Sequence, residues 1–314
     1  MKVLITGGAG FIGSHLVDHC LKIGYETFVL DNFSSGKIEN IQQHLNNKKF
    51  HLIKGDIRNP EDVKKALENV DAICHLAAIV NIPLSIENPS LTNEVNVQGT
   101  LSLLEASIKN DVQRFVYVST CAVYGEAKYL PIDEEHPTNP LSPYGASKLA
   151  AEHYCKVFHK IYGLKTICLR FFNIYGPRQP SGPYGGVITT FLESLKRNKP
   201  ITIYGDGNQT RDFLYVKDAV EACVLALISK NCAGKTFNIG TGTKTSINEL
   251  AQVLIEQANK PHTEITHVEE RKGDIKESYA DIRKAQRELG FKPKFSIREG
   301  LKEFIESSDL AYTQ

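Results

Sequence analysis

Three glycines at fixed spacing, in GGAGFIG over residues 7–13, stand between the apolar sequence KVLIT and an amphipathic stretch from Phe11 to Ile23. A strand that must turn within a few residues into a helix leaves few folds open. Gly7 can make the tight turn, Gly10 can admit a pyrophosphate to the backbone, and Gly13 can seat the helix close on the strand. Amides at the helix start, which have no partner inside the helix, would then face the phosphates. A glycine turn without a ligand is the alternative.

The pattern beyond the loop favours the ligand. Apolar runs alternate with amphipathic ones: TFVLD, HLIKGD, a helix from Glu61 to Asn69, VDAICHLAA, a helix from about Ser90 to Asn110, RFVYVST, a helix opened by Ser142, and TICLRFF. Such alternation predicts a Rossmann-type α/β fold, with a doubly wound parallel sheet, over residues 1–172. After Asn173 the pattern breaks into the Pro- and Gly-rich YGPRQPSGPYGG. Residues 173–314 are expected to form a smaller α/β lobe, with helices near 187–197, 247–259, 282–289 and 297–307 and a short strand in ITIYGD. The stretch FLYVKDAVEACVLALISK with TFNIG, within about 213–243, is expected to return to the first sheet.

Composition narrows the partners. The chain has 314 residues, of which 41% are hydrophobic, enough for a substantial core. Its 37 Lys plus Arg nearly balance 36 Asp plus Glu with no basic stripe, so neither nucleic acid nor a membrane surface is an expected partner. Met1-Lys2 leads straight into the first strand and no apolar run reaches transmembrane length, which predicts a cytoplasmic protein without a signal peptide. The seven cysteines show no Cys-x-x-Cys spacing and read as buried apolar residues rather than disulfides or metal ligands.

Polar residues at strand ends mark the candidate site. Asp31 closes the second strand eighteen residues after Gly13, where a carboxylate would accept both adenosine ribose hydroxyls and repel a 2′-phosphate, favouring NAD over NADP. Capping the next turn is its other reading. Asp56, taken to end the third strand, can accept from an adenine amino group or make an Asx turn. Leu76, Ala77 and Ala78 leave room for a nicotinamide ribose, while His75 reads as a packed strand residue. Ser119 and Thr120 end the fifth strand.

Tyr144 and Lys148 in SPYGASKLAAEHY fall on one helical face if Ser142 is the N-cap and Pro143 the first helical residue. A cation beside a phenol stabilises the phenolate, making tyrosine a usable base. The pair Tyr124 and Lys128 has the same spacing but sits in a Gly-containing loop, where the side chains need not converge. Bringing a phenol from about 10 to near neutrality takes about 4 kcal/mol, to which Lys148, a nicotinamide charge and the helix N-terminus can all contribute.

Taken in order, GGAGFIG, DNFSSG, GDI, HLAA, NVQGT, STCAVYG, YGASK, RFFNIYGP, YGDGNQTRDFLYV and RKGD closely resemble the extended short-chain dehydrogenase/reductase family, and within it the UDP-sugar 4-epimerases. The likeness spans residues 2 to 285. It implies Tyr144, Lys148, Thr120 and Ser119 as the catalytic group. For NAD it implies Gly7, Gly10, Phe11, Ile12, Gly13, Asp31, Asn32, Ser35, Gly36, Asp56, Ile57, Leu76, Ala77, Ala78, Asn96, Tyr144, Lys148 and Phe171. For the UDP-sugar it implies Thr120, Tyr144, Phe172, Asn173, Val187, Tyr204, Arg211, Phe213, Arg271, Asp274 and Ser278, with the two arginines on the diphosphate and Asp274 on the ribose. Surface ion pairing is the alternative for each arginine, and core packing for Tyr204.

The implied reaction is epimerisation at C4 through a transient 4-keto sugar. Related 4,6-dehydratases carry Asp-Glu after the strand-end Thr, and UDP-glucuronate decarboxylases a Glu two residues after it; this chain has Cys121 and Ala122 there. UDP-glucuronate 4-epimerases usually show Arg-Pro-Asp after GPRQ, where this chain has Pro180-Ser181. Ser278 replaces the bulky tyrosine of relatives restricted to UDP-glucose and UDP-galactose, so a 2-N-acetyl group is expected to fit unless Tyr279 refills the space. The resemblance also implies a homodimer through the helices near 92–109 and 143–161. Other extended-family oxidoreductases, UDP-glucuronate 4-epimerase and a non-catalytic NAD-binding regulator are the competing readings.

Overall fold

The computed structural model describes residues 1–182, 185–270 and 274–307. The first half alternates as the sequence predicts: β1 (Lys2–Thr6), α1 (Phe11–Lys22), β2 (Glu26–Asp31), β3 (Phe50–Lys54), α2 (Pro60–Ala66) and β4 (Ala72–His75). Then come α3 (Ile82–Glu87), α4 (Pro89–Asn93), a π-turn at Glu94–Gln98, α5 (Gly99–Lys109), β5 (Arg114–Thr120), α6 (Pro143–Tyr162) and β6 (Thr166–Phe171). Beyond lie β7 (Asn173–Tyr175), α7 (Val187–Lys196), β8 (Ile201–Tyr204), β9 (Thr210–Arg211), β10 (Phe213–Tyr215), α8 (Val216–Ile228) and β11 (Thr236–Ile239). The last elements are β12 (Thr245–Ser246), α9 (Ile247–Gln257), β13 (Ile265–Val268), β14 (Glu277–Ser278), a π-turn at Ala285–Leu289 and α10 (Ile297–Glu306).

Among the described residues, seven parallel strands form one sheet in the order β11-β6-β5-β4-β1-β2-β3. Strand order reverses between β1 and β4, and a crevice at such a reversal is where open α/β sheets bind ligands. Both sheet faces are buried. Leu16, Val17 and Cys20 of α1 join Ala219 and Cys223 of α8 on one face, while Val63 of α2, Leu103 and Leu104 of α5 and Ala151 and Cys155 of α6 cover the other. A separate core, including Ile188, Leu192, Leu250, Leu254 and Leu301, lies between α7, α9 and α10.

Several boundaries differ from expectation. The third strand ends at Lys54, so Asp56 lies two residues beyond it. The helix expected to Asn69 stops at Ala66, and Asn69 takes a left-handed backbone at φ 61. The helix expected near 90–110 is split by the π-turn at Glu94–Gln98, and α3 precedes it unforeseen. No helix among the described residues is long and apolar enough to cross a membrane.

Candidate active site

The glycine loop sits at the strand-order reversal, against the loop after β4. Gly7 has φ 69, and a Cβ there would lie 2.9 Å from the Ala77 nitrogen, so glycine alone permits the two loops to meet this closely. Gly10 is the N-cap of α1 and supplies no side-chain cap. The amides of Phe11, Ile12 and Gly13 are therefore left with neither intrahelical nor capping partners, the donor set a pyrophosphate requires.

Asp31 and Asp56 separate on lone-pair counting. Each Asp31 oxygen accepts one amide, from Ala9 at 2.9 Å and Phe33 at 2.8 Å, so the carboxylate caps its turn and still has room for two ribose hydroxyls. Gly36 allows this close approach, since its Cβ would fall 2.9 Å from Asp31 Oδ2; neighbouring Ser35 is exposed. Asp56 is saturated. Its Oδ1 accepts from the Arg58 backbone and Nε, both at 2.9 Å, and its Oδ2 from Arg58 Nη2 at 2.7 Å and Asn32 Nδ2 at 2.9 Å. The Arg58 hydrogen bonds hold its carboxyl well below the usual range. An adenine amino group would have to displace one of these donors, and the Asx turn is the reading this geometry favours. Ile57 turns its side chain into the core, leaving only its backbone for a ligand.

His75 is a structural residue of some consequence. Thr100 Oγ1 donates to Asn96 O at 2.6 Å, so it must accept from His75 Nε2 at 2.9 Å. Nδ1 is then the acceptor, 2.7 Å from Thr6 Oγ1, which itself accepts from the Ala77 amide at 3.2 Å. Burial and then the Lys148 cation hold the ring well below the usual histidine pKa, so it stays neutral. Asn96 continues the chain: it bonds Ile79 N at 2.7 Å, Ile79 O at 2.9 Å and Ser147 Oγ at 2.9 Å, and Ser147 donates to Tyr144 O at 2.8 Å. Thus the loop holding Leu76, Ala77 and Ala78 is tied to the tyrosine helix.

That helix forms as its residues dictate. Ser142 Oγ accepts from Gly145 N at 3.1 Å, Pro143 occupies the first turn, and Gly163 ends it at φ 74. Lys148 is 3% exposed, with Nζ 4.2 Å from the Tyr117 ring centroid. Tyr144 is only part-buried as a residue. Burial nevertheless pushes its phenol up to about 12, and the neighbouring Thr120 side chain pulls it back only in part. Burial likewise brings Lys148 down to about 8. The protein's own groups therefore leave the phenol protonated at neutral pH, so of the three expected contributions Lys148 and the helix N-terminus do not suffice without the nicotinamide charge. Thr120 caps the turn at Cys121–Val123 by accepting from Ala122 N at 3.2 Å, which leaves its proton for another acceptor. Ser119 Oγ and Tyr117 OH are buried without a hydrogen-bond partner among the described residues. Tyr124 takes no part with Lys128: its hydroxyl donates to Asn238 Oδ1 at 2.6 Å.

The far side of the crevice is built from β7, β9, β10 and β14. Phe171 and Phe172 are each 4% exposed, and Asn173 donates through its backbone at 3.0 Å and Nδ2 at 3.2 Å to Asp212 O. Val187 starts α7, Tyr204 is an exposed residue on β8, and Phe213 is buried in the second core. Arg211 and Asp274, expected on different parts of a nucleotide, pair with each other. Arg211 also donates to Thr210 O and Ile275 O, so three of its five donors are engaged among the described residues. Arg271 lies outside the described residues. Ser278 is buried and stands in register with Arg211.

Asp212, which sequence reasoning passes over, anchors this wall. Wholly buried, it accepts from Thr241 N at 2.7 Å, Thr241 Oγ1 at 2.6 Å, Gly242 N at 3.0 Å and Ala280 N at 3.2 Å. Its one sequence signal is an acid between Arg211 and the apolar Phe213. Arg58 escapes sequence reasoning as well, though it stands two residues after an acid already singled out.

A family model described as GDP-mannose 4,6 dehydratase matches residues 4–304. The chain is similar to UDP-glucose 4-epimerase of Thermotoga maritima, solved with UDP-glucose: 39% identity, TM-score 0.92, covering 98% of each chain. UDP-N-acetylglucosamine 4-epimerase of Methanobrevibacter ruminantium, in complex with UDP-N-acetylmuramic acid, matches at 37% identity and TM-score 0.90, over 98% of this chain and 99% of that one. UDP-glucuronic acid 4-epimerase of Bacillus cereus, with UDP-glucuronic acid and NAD, matches at 35% identity and TM-score 0.91 over the whole of both chains.

Proposed function

This chain belongs to the extended short-chain dehydrogenase/reductase family, and from that premise we propose that it is an NAD-dependent UDP-hexose 4-epimerase. The carrying observation is that the Tyr144 phenol neighbours the Thr120 side chain on a helix that also carries buried Lys148, beside a turn whose positions 121 and 122 hold no carboxylic acid. Related dehydratases carry a carboxylic acid pair at those positions to assist water elimination, and here Ala122 has no proton to give while burial, by pushing the Cys121 thiol up to about 11, leaves it a much weaker acid than a carboxyl. The nearby Asp212 carboxylate is committed to four donors.

Phe11, Ile12 and Gly13 amides would hold the NAD pyrophosphate and Asp31 its adenosine ribose. When bound, NAD accepts and returns a hydride at the sugar's C4 and brings a positive ring beside the phenol. Tyr144 then removes and restores the proton on the 4-oxygen, Lys148 keeps positive charge beside it, and Thr120 holds that oxygen and relays the proton. Residues 1–172 with about 213–243 serve as the NAD half, and the remainder of 173–314 as the UDP-sugar lobe.

For substrate, the reading is UDP-glucose with UDP-galactose together with the 2-N-acetyl pair. Support comes from the alternation of burial just beyond β14: Ser278 and Ala280 are buried, while Tyr279 between them is half-buried with its ring centroid 6.0 Å from Lys244 Nζ, so it does not refill the space. Ser278→Tyr is expected to lower kcat/KM for UDP-N-acetylglucosamine at least about tenfold while sparing UDP-glucose, the discrimination a filled pocket typically supplies. Full N-acetyl activity in that variant would remove the gate.

The deciding assay incubates purified protein with UDP-glucose, UDP-N-acetylglucosamine and UDP-glucuronate without added NAD and separates epimers by chromatography. Interconversion of none of them rejects the epimerase reading; conversion of UDP-glucuronate alone favours the activity of the Bacillus cereus relative. A homodimer through the 143–161 helix is supported by Tyr154, Val157 and Ile161, exposed at spacings of three and four residues. Sedimentation as a monomer at micromolar concentration would remove it.

A further inference from the structure

Behind the tyrosine helix lies a buried charge cluster that the hydride and proton steps leave unused. Glu152 is wholly buried one helical turn beyond Lys148, and Arg170 of β6 is 3% exposed beneath it. Arg170 Nε reaches the two Glu152 oxygens at 3.0 and 3.2 Å, and Nη2 reaches Oε2 at 2.7 Å. Nη1 of the same arginine donates to the Tyr124 hydroxyl at 2.8 Å. Tyr124 closes the turn that begins just after Thr120, and its hydroxyl donates on to Asn238 of β11. One set of contacts thus joins the helix of Tyr144 and Lys148, the sheet beneath it and the turn of Thr120.

Stability alone does not account for such a cluster. An apolar set of similar volume is often as stable as a buried ion pair or more so. Charge balance gives a better account: Lys148 and Arg170 are two buried cations, and Glu152 is the anion that stands between them. The other ionisable groups facing them are Cys155 of α6, Tyr117 of β5, Cys168 of β6, His75 of β4, Tyr124 of the turn, and Glu134, which sits beyond Tyr124 and accepts from Asn238 N at 2.8 Å; Tyr144 faces Tyr117, one helical turn before Lys148. Burial keeps His75 neutral and pushes the Cys155 thiol and the Tyr117 and Tyr124 phenols well up, so none of these four supplies charge near neutrality.

We propose that Glu152, clamped by Arg170, is a positioning residue for the reaction: its charge keeps Lys148 an ammonium, and the Arg170 to Tyr124 contact holds Thr120 in register with Tyr144. This inference rests on the epimerase reading and deepens it. Removing the anion leaves an extra positive charge behind the base; removing Arg170 leaves an extra negative one. The two changes must therefore displace the titration of Tyr144 and Lys148 in opposite directions.

The test compares pH profiles of kcat/KM for the NAD-loaded wild type and for Glu152→Gln, Arg170→Gln, the double variant and Tyr124→Phe. Glu152→Gln is expected to move both limbs to acid by about one pH unit or more and to lower kcat at least about tenfold. Arg170→Gln is expected to move them to alkali by a similar amount. The double variant, which restores the charge balance, should have limbs back at the wild-type positions, and Tyr124→Phe should lower kcat severalfold with limbs unmoved. Opposite shifts keep the test decisive if one single variant does not fold. Unmoved limbs, or shifts of the same sign, overturn the proposal. The same shifts are read without turnover from phenolate absorbance, as the difference between each NAD-loaded protein and its Tyr144→Phe counterpart. A wild type that converts no UDP-sugar would therefore reject the epimerase reading while the absorbance still decides this one.

Discussion

Tyr144→Phe is expected to lower kcat for UDP-glucose epimerisation by about a thousandfold, within the range that one positioned proton-transfer group contributes, while NAD stays bound. The phenol neighbours the Thr120 side chain and shares a helical face with Lys148. In the proposed mechanism it must take up a proton from the 4-oxygen and give it back in every turnover. Phenylalanine keeps the ring and its packing, so a loss in kcat without loss of NAD identifies the missing proton carrier. Residual activity above about a tenth of wild type would transfer that role elsewhere. An accompanying pH effect has a definite sign: burial brings Lys148 down to about 8, so its ammonium is lost as pH rises through that value. The wild-type kcat/KM is therefore expected to fall on the alkaline side from about there, and a profile flat to well above it would show that the lysine charge is not needed.

An element is legible in the sequence to the extent that its signal is local. β5 and the helix opened by Ser142 can be read directly, because period, cap and terminator all lie within the segment: Ser142 Oγ on Gly145 N and Gly163 at φ 74 mark the helix ends. The π-turn at Glu94–Gln98 is not legible, because Asn96 is held from outside, by Ile79 and Ser147. Strands β9, β12 and β14 are two residues each and exist through their partners, too short for any period to announce them. The helix Ile82–Glu87 does carry a signal, since Asn81 with Pro83 is a start signal and Asn81 Oδ1 accepts from Leu84 N at 2.7 Å.

For the site, spacing locates side chains but cannot say what each is bonded to. Asp31 and Asp56 look alike as acids at or near strand ends, yet one retains lone pairs and the other is saturated by Arg58 and Asn32. Arg211 and Asp274 lie 63 residues apart and are expected on separate parts of a nucleotide, whereas in the folded chain they form one pair. Asp212 and Glu152 escape notice because an acid in sequence reads as surface; both are wholly buried, and only the folded chain supplies the partners that make this tolerable.

Gly13→Ala is expected to destabilise the protein by about 3 kcal/mol and to abolish NAD retention, the upper end of what overpacking does in a rigid core. A Cβ at position 13 would fall 2.1 Å from Gly7 O, 2.9 Å from Gly7 C and 2.9 Å from Gly8 Cα. All three are backbone atoms of the strand-to-helix turn, so no side chain can rotate away and the loop must open. Gly10→Ala makes the informative contrast. Its Cβ would meet only Gly7 O, at 3.1 Å, a contact the loop can relax by a few tenths of an ångström. That variant should melt close to wild type without ligand, yet bind NAD more weakly, because the methyl occupies the approach to the α1 amides. Thermal unfolding without NAD and calorimetric titration with NAD separate the two effects. Equal melting temperatures and equal NAD affinities for Gly13→Ala and wild type would mean that helix and strand do not need their close seating, and the first feature of the sequence would lose its physical reason.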